Sequence, residues 1–502
     1  MDSISVFENI VVLDRKEGES WEAAFFRHVQ WINQYSDRPL RNLLKMMENR
    51  CTSIVIEQEY VDSDYLDAYS NYYSQLFADY EGKCWRLHFF AEEVRDYNLV
   101  NLSALAGSYL GFCVLRPTLS FQVSRTVLAS PYDGSGSSYI LCKADFEVNL
   151  SGNQLKIKGA PYCQQDTNVN VCAQASIWMS SLYMHKQFQT SRYLPSQIND
   201  LLRRCLSLGP VREGLYPFQI AIALREMGFE PHVFPVGPHD NPYATAEIVY
   251  GYVESEIPVI LGLKTARGEG HAVTVVGHDY TTRHSLGVDW DSNINWIENF
   301  YINDDAQGPY LQLGIDKIST GSYHSGYTVK ENVKSIIIPA PKETKMRLDD
   351  VLSHIRVLMS DKNILNDLLN LWSDDGELLF QDDDFKGLVF RTYLTKSNNF
   401  KVNLPDTEDY ATVRVLCRSI RMPKYVWVTE ISKADLINQS NPADRRRLGI
   451  IVFDSTADRY SYLASYLIIH FRQRFILKKA GTEQLFCVYR TTDLPCQHLV
   501  RS

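Results

Sequence analysis

An α+β architecture in several parts is what this sequence predicts, and three stretches carry the prediction. Residues 164–179 run from a polar segment to Cys172, after which Ala175, Trp178, Met179 and Leu182 follow the i, i+3, i+4, i+7 spacing of a helix, with no Pro or Gly before Tyr193. Residues 256–263 form a short apolar run that reads as a buried strand; the turn Arg267-Gly268-Glu269-Gly270 then leads into 271–280, a β-branched run suited to a central strand. Residues 300–305 are again strand-like, and period-two alternation puts Phe300, Ile302 and Asp304 on one face.

These three stretches hold the residues able to do chemistry. Cys172 stands at or near a helix start, where unpaired N–H groups and the positive end of the dipole favour an anion such as a thiolate. His271 stands at the mouth of one strand and Asp304 at the end of another. Each alone has a plainer reading, since free cysteine is among the most buried residue types and a lone histidine is commonly structural. Together they form a nucleophile, a base and an orienting acid. By the same alternation Asp305 points to the opposite face, which makes it the second choice and its replacement by Ala an expected neutral change.

On these residues the chain resembles the papain-like cysteine peptidase superfamily: a helix-starting cysteine preceded by Gln, a His271-Ala272-Val273-Thr274-Val275-Val276-Gly277 strand, and a strand ending in an acid, in the order Cys, His, acid. The nearest flavour is the bacterial branch that includes the double-glycine leader peptidases. The resemblance implies a central helix bearing the nucleophile packed on an antiparallel sheet, with Cys172 as nucleophile, His271 as general base and acid, Asp304 orienting the imidazole, and Gln165 helping the Cys172 backbone N–H to hold an oxyanion. It covers roughly residues 160–338. Two departures stand out: the family's glutamine lies closer to its cysteine than Gln165 or Gln164 does here, and Ala173 follows the nucleophile where many relatives have Gly. Either glutamine remains a candidate. The implied reaction is hydrolysis of an amide in a peptide or protein. Acyl transfer, transglutamination or deamidation by the same triad are the alternatives, as is a non-catalytic interaction protein that keeps the fold. No cofactor or metal is implied. Cys172, His271 and Asp304 are all ligand types, but zinc motifs usually bring two ligands close in sequence.

The rest of the chain bounds these readings. At 502 residues there is length for roughly two to four domains, and the composition suggests an α/β unit over 1–150, the peptidase-like unit over 151–340, and a second α/β unit over 341–502 after the linker-like Pro339-Ala340-Pro341-Lys342. Apolar residues at 45% and charged residues at 22% fit an ordinary globular chain. A net charge of −9 argues against nucleic acid as the main partner. The ten cysteines include no Cys-x-x-Cys pair, the first residues lack a signal-peptide pattern, and no apolar run is long enough to span a membrane, so a reduced, cytoplasmic setting is expected.

In order, helical spacing marks 21–35, 39–47, 65–80, 194–206 and 217–228, with Pro217 at a first helical position. Strands are expected at 51–57, 84–90 and 109–115. In the last third, 348–359 and 364–372 read as helices, and 377–380, 388–394, 425–431 and 448–453 as strands. Arg116 and Arg125 lie in a stretch that could be a recognition surface, ordinary surface or interdomain pairs being commoner, and the triplet Arg445-Arg446-Arg447 could grip an anionic group, a solvated loop being commoner. The flanking units could recruit a protein partner.

Overall fold

Strict alternation becomes a hairpin where Ala144–Leu150 and Asn153–Gly159 bury every second residue and pair antiparallel. Ser151 and Gly152 turn the corner with φ of 50° and 83°, the left-handed conformation that a tight hairpin of right-twisted strands requires. The computed structural model describes residues 9–29, 38–95, 101–118, 122–133, 136–165, 172–206, 216–281, 290–360, 387–406, 410–437, 439, 444–457, 465–471, 474–479, 482–487 and 494–495. The fold is mixed α+β with several sheets, mostly antiparallel. No described helix is long and apolar enough to cross a membrane.

The chain divides into two compact units, not three consecutive ones: residues 1–239, 258–277 and 299–339 form one, and 240–257, 278–298 and 340–502 the other. The expected break at 150 is absent because residues 1–150 do not complete their own sheets. Val123–Leu128 takes Pro161–Tyr162 as its edge partner, and the backbone N–H groups of Leu141 and Cys142 both bond to the Val276 carbonyl.

Besides the hairpin of Ala144–Leu150 and Asn153–Gly159, the first unit holds two larger sheets among the described residues. One orders Ile10–Val12, Ser53–Tyr60, Cys84–Phe90, Tyr109–Leu115, Val123–Leu128 and Pro161–Tyr162. The other sets Glu230–Pro235, Val333–Ala340, Val259–Lys264, Gly270–Asp279, Asn299–Asp304, Gly308–Gly314 and His324–Thr328 side by side, with Ser138–Ile140 also paired to Gly270–Asp279. Gly277 belongs to this last contact, since a Cβ there would lie 2.2 Å from the Tyr139 carbonyl oxygen. Arg125 pairs with the buried Asp62 at 2.7 Å, so it is part of the framework and not an open anion site.

The second unit is built on a sheet ordered Trp290–Ser292, Leu388–Lys396, Tyr425–Lys433, Gly449–Asp454, Tyr466–Phe471, Arg474–Lys479 and Thr482–Cys487. Val426, Val428, Ile450, Val452 and Ile468 meet Phe400, Tyr410 and Val413 in its core. The helices Pro242–Glu254 and Leu348–Ser360 belong to it as well. The helix expected at 364–372 and the strand at 377–380 lie outside the described residues, as do 30–35 of the first expected helix, which is seen as Trp21–His28. Of the arginine triplet, Arg445 and Arg447 are buried rather than solvated: Arg447 donates to Glu430 at 2.9 Å, and Arg445 stacks over Tyr280 with its guanidinium carbon 4.1 Å from the ring centre.

Candidate active site

Cys172 is the first residue of the helix Cys172–Phe188 and is half-buried. Its sequence spacing predicts one apolar face, yet Ala175 through Met184 are all buried, Ser176, Ser180 and Ser181 among them. The helix is central, and its serines are small enough for neighbouring backbone to approach; the Thr274 hydroxyl reaches the Ser176 carbonyl at 3.5 Å. A helix buried on all sides fixes the position of its first turn.

The histidine is delivered by a hairpin. Val259–Lys264 pairs antiparallel with Gly270–Asp279, setting His271 opposite Leu263. The turn closes with the Thr265 N–H on the Glu269 carbonyl and the Gly268 N–H on the Thr265 carbonyl, Gly268 taking φ of 82°. His271 is therefore the second residue of its strand, fixed by the ladder at the sheet's end.

Asp304 ends its own strand, and the turn after it immobilises the carboxylate. Oδ1 accepts from the Ala306 N–H at 2.9 Å, an Asx turn, and Oδ2 accepts from Gln307 Nε2 at 2.9 Å. Gln307 is in turn held on the Ser325 carbonyl at 3.0 Å. His271 Nε2 donates to Asp304 Oδ1 at 2.9 Å. The Cys172 side chain also acts on the ring and favours its protonated form; with Nε2 committed to the carboxylate, Nδ1 is the nitrogen left for a thiol. Burial of the ring opposes its charge and is the largest single influence. The bond to Asp304, the action of Cys172 and the charges of Asp304 and Asp305 outweigh it, raising the His271 pKa to about 12. The site favours an imidazolium.

Asp305 corrects the reading from alternation. It follows the strand instead of continuing it, and its Oδ1 lies 3.8 Å from His271 Nε2. It is fully buried, and neither carboxyl oxygen has a hydrogen-bond partner. Burial pushes its carboxyl up to about 7, with neighbouring Asp304 adding to the shift and His271 opposing it. A substitution to Ala at this position is not expected to be silent. Alternation fails here because it describes strands, and the strand has ended.

Of the two glutamines, Gln164 is buried and closes a sheet edge: its side-chain oxygen accepts from the Val123 N–H at 3.0 Å while its backbone N–H donates to the Val123 carbonyl at 3.0 Å. It also lines a cavity of about 30 Å³ shared with Asp64, Arg116, Gln174 and Trp178, room for water and not for a substrate side chain. Gln165 is half-buried, and 166–171, between it and Cys172, lie outside the described residues. Gln307 is the residue that sequence reasoning overlooked. The run Asp304-Asp305-Ala306-Gln307-Gly308, with its turn-forming acid and Gly, held the signal.

His271, Asp304 and Asp305 offer ligand atoms within 4.8 Å of one another, close enough for a divalent cation to bridge. In the arrangement described, His271 Nε2 and both Asp304 oxygens are already engaged with one another, with Ala306 and with Gln307, as a hydrogen-bonded cluster. The chain matches no known family model, and no curated protein shows significant sequence similarity to it.

Proposed function

We propose that the protein is a cysteine peptidase of papain-like build, hydrolysing an amide bond in a peptide or protein substrate through Cys172, His271 and Asp304. One observation carries the reading: Asp304 holds His271 Nε2 at 2.9 Å while the Cys172 side chain acts on the same ring. The three residues come from separate segments of the chain, and only a nucleophile–base–orienter assembly requires them in that order of contact.

Cys172 gives its proton to His271, and the thiolate attacks the substrate carbonyl. Backbone N–H groups of the helix start stabilise the oxyanion, with Gln165 as the side-chain candidate. The imidazolium then protonates the leaving amine, and His271 as general base draws a proton from the water that clears the thioester. Asp304, itself held by Ala306 and Gln307, keeps the ring in the tautomer the cycle needs. Incubating the protein with a peptide library and reading products by mass tests the proposal: new termini that disappear with Cys172→Ala are expected. Products showing only a mass gain or a one-dalton shift would reassign the site to transfer or deamidation. Iodoacetamide labelling of Cys172 that is unchanged by His271→Ala would remove the catalytic reading.

A further inference from the structure

Asp305 is an anomaly among the groups around His271. Asp304 has both oxygens hydrogen-bonded, whereas Asp305 is fully buried with neither oxygen in a hydrogen bond and His271 Nε2 3.8 Å from Oδ1. A buried carboxylate without a donor is costly, and a carboxyl in that position keeps its proton or faces a cation. The groups acting on it are few. His271 faces it from Gly270–Asp279, Asp304 from the strand end beside it, Tyr327 from His324–Thr328, and Cys163 from the segment after Pro161–Tyr162. The Tyr162 hydroxyl is taken up by the Asp305 backbone carbonyl at 3.3 Å. No Lys or Arg is among these groups, and among the described residues the cation named against it is the imidazolium.

Resting on the proposed pairing of Cys172 with His271, we propose that Asp305 is a positioning residue that holds its proton in the resting site, releases it to solvent as the pH rises, and then stands as a second carboxylate against the imidazolium. Proton balance is simple: one O–H bond breaks, solvent takes the proton, and the site gains one negative charge. That charge, 3.8 Å from Nε2, makes His271 hold its own proton more tightly. The acidity of the group that must protonate the leaving amine is thereby tied to the state of Asp305. Its ionisation, near pH 7, falls where an enzyme working at neutral pH is sensitive to it.

The test is a titration of the full-length protein labelled with carbon-13 at the histidine ring, the His271 signal being assigned by its loss in His271→Ala. In the wild type a step in the His271 shift is expected between about pH 6 and 8 while the ring remains protonated. In Asp305→Asn, which keeps the side chain's shape, that step disappears and deprotonation of the ring moves down by about one pH unit or more. Asp305→Ser provides a second variant if the amide disturbs folding, with the same expectation. A wild type with no step, or a step that survives in the folded variants, overturns the proposal. Cys172→Ala tests the parent reading separately: if it leaves the His271 titration unchanged, the pairing fails while the Asp305 step stays readable.

Discussion

Two buried charge clusters, one in each unit, look alike in composition and differ in balance. In the second unit Glu254 accepts from His278 Nε2 at 2.6 Å and from Arg391 Nε at 2.9 Å, while Glu430 receives Arg391 at 2.9 Å and Arg447 at 2.9 Å. Two guanidinium groups meet two carboxylates. Burial of Glu254 works against ionisation, but Arg391 and the bond from His278 outweigh it and hold its carboxyl down to about 2. The cluster around His271 sets one imidazole against two carboxylates and a thiol, and leaves the Asp305 carboxyl without a hydrogen bond. The first cluster matches its carboxylates with cations, whereas the one around His271 sets a single ring against two acids.

The largest break in this comparison is expected at the thiol and its base. In the proposed reaction Cys172→Ala and His271→Ala should each lower kcat/KM by about 10³-fold or more; thermal unfolding should change little in Cys172→Ala and fall in His271→Ala, which leaves two buried acids without their cation. In the balanced cluster the effect should fall on stability: Arg391→Ala strands Glu254 and Glu430 without their shared cation, and a loss of about 3–5 kcal/mol is expected from urea unfolding followed by circular dichroism. An equal loss of activity without destabilisation would reverse the roles assigned to the two clusters.

Smaller effects sharpen the contrast. Asp304→Asn should cost about 10²-fold in kcat, because the ring loses its charged partner while the turn keeps its shape. Asp305→Asn should stabilise the protein, and only above acidic pH. The native carboxyl sits near 7 against an ordinary value of 3.8. The folded state therefore binds the proton more tightly than the unfolded one, and stability present below about pH 4 is lost as the pH rises through 7. Relief of about 4 kcal/mol at pH 8 and little at pH 4, read as a shift in thermal midpoint, is the expected pattern. Gln307→Ala, which removes one anchor of Asp304 and leaves the other, should lower kcat by about fivefold, near 1 kcal/mol.

Much of the local structure was legible because the cues are local. Strands at Cys84–Phe90 and Tyr109–Leu115 coincide with the expected ranges, and Pro217 stands at the start of Pro217–Glu226. The helix at Cys172 was legible in position but not in surroundings, since its buried serines leave no apolar signature. The unit boundaries were hidden for a related reason: sheet edges are filled by strands distant in sequence, and hydropathy along the chain carries no record of the partner.

By itself the sequence determined a helix beginning at a cysteine, a β-branched strand with a histidine at its mouth, and an acidic pair at the end of another strand. Backbone propensity and side-chain periodicity act over a few residues and suffice for that. Only the tertiary structure decided that Asp304 takes the imidazole and that Asp305 is left beside it without a donor. It also turned Gln164 into a sheet closure and drew Arg447 to Glu430. Such choices depend on which distant groups share a low-dielectric interior, where a few tenths of a nanometre separate a partnered charge from a stranded one.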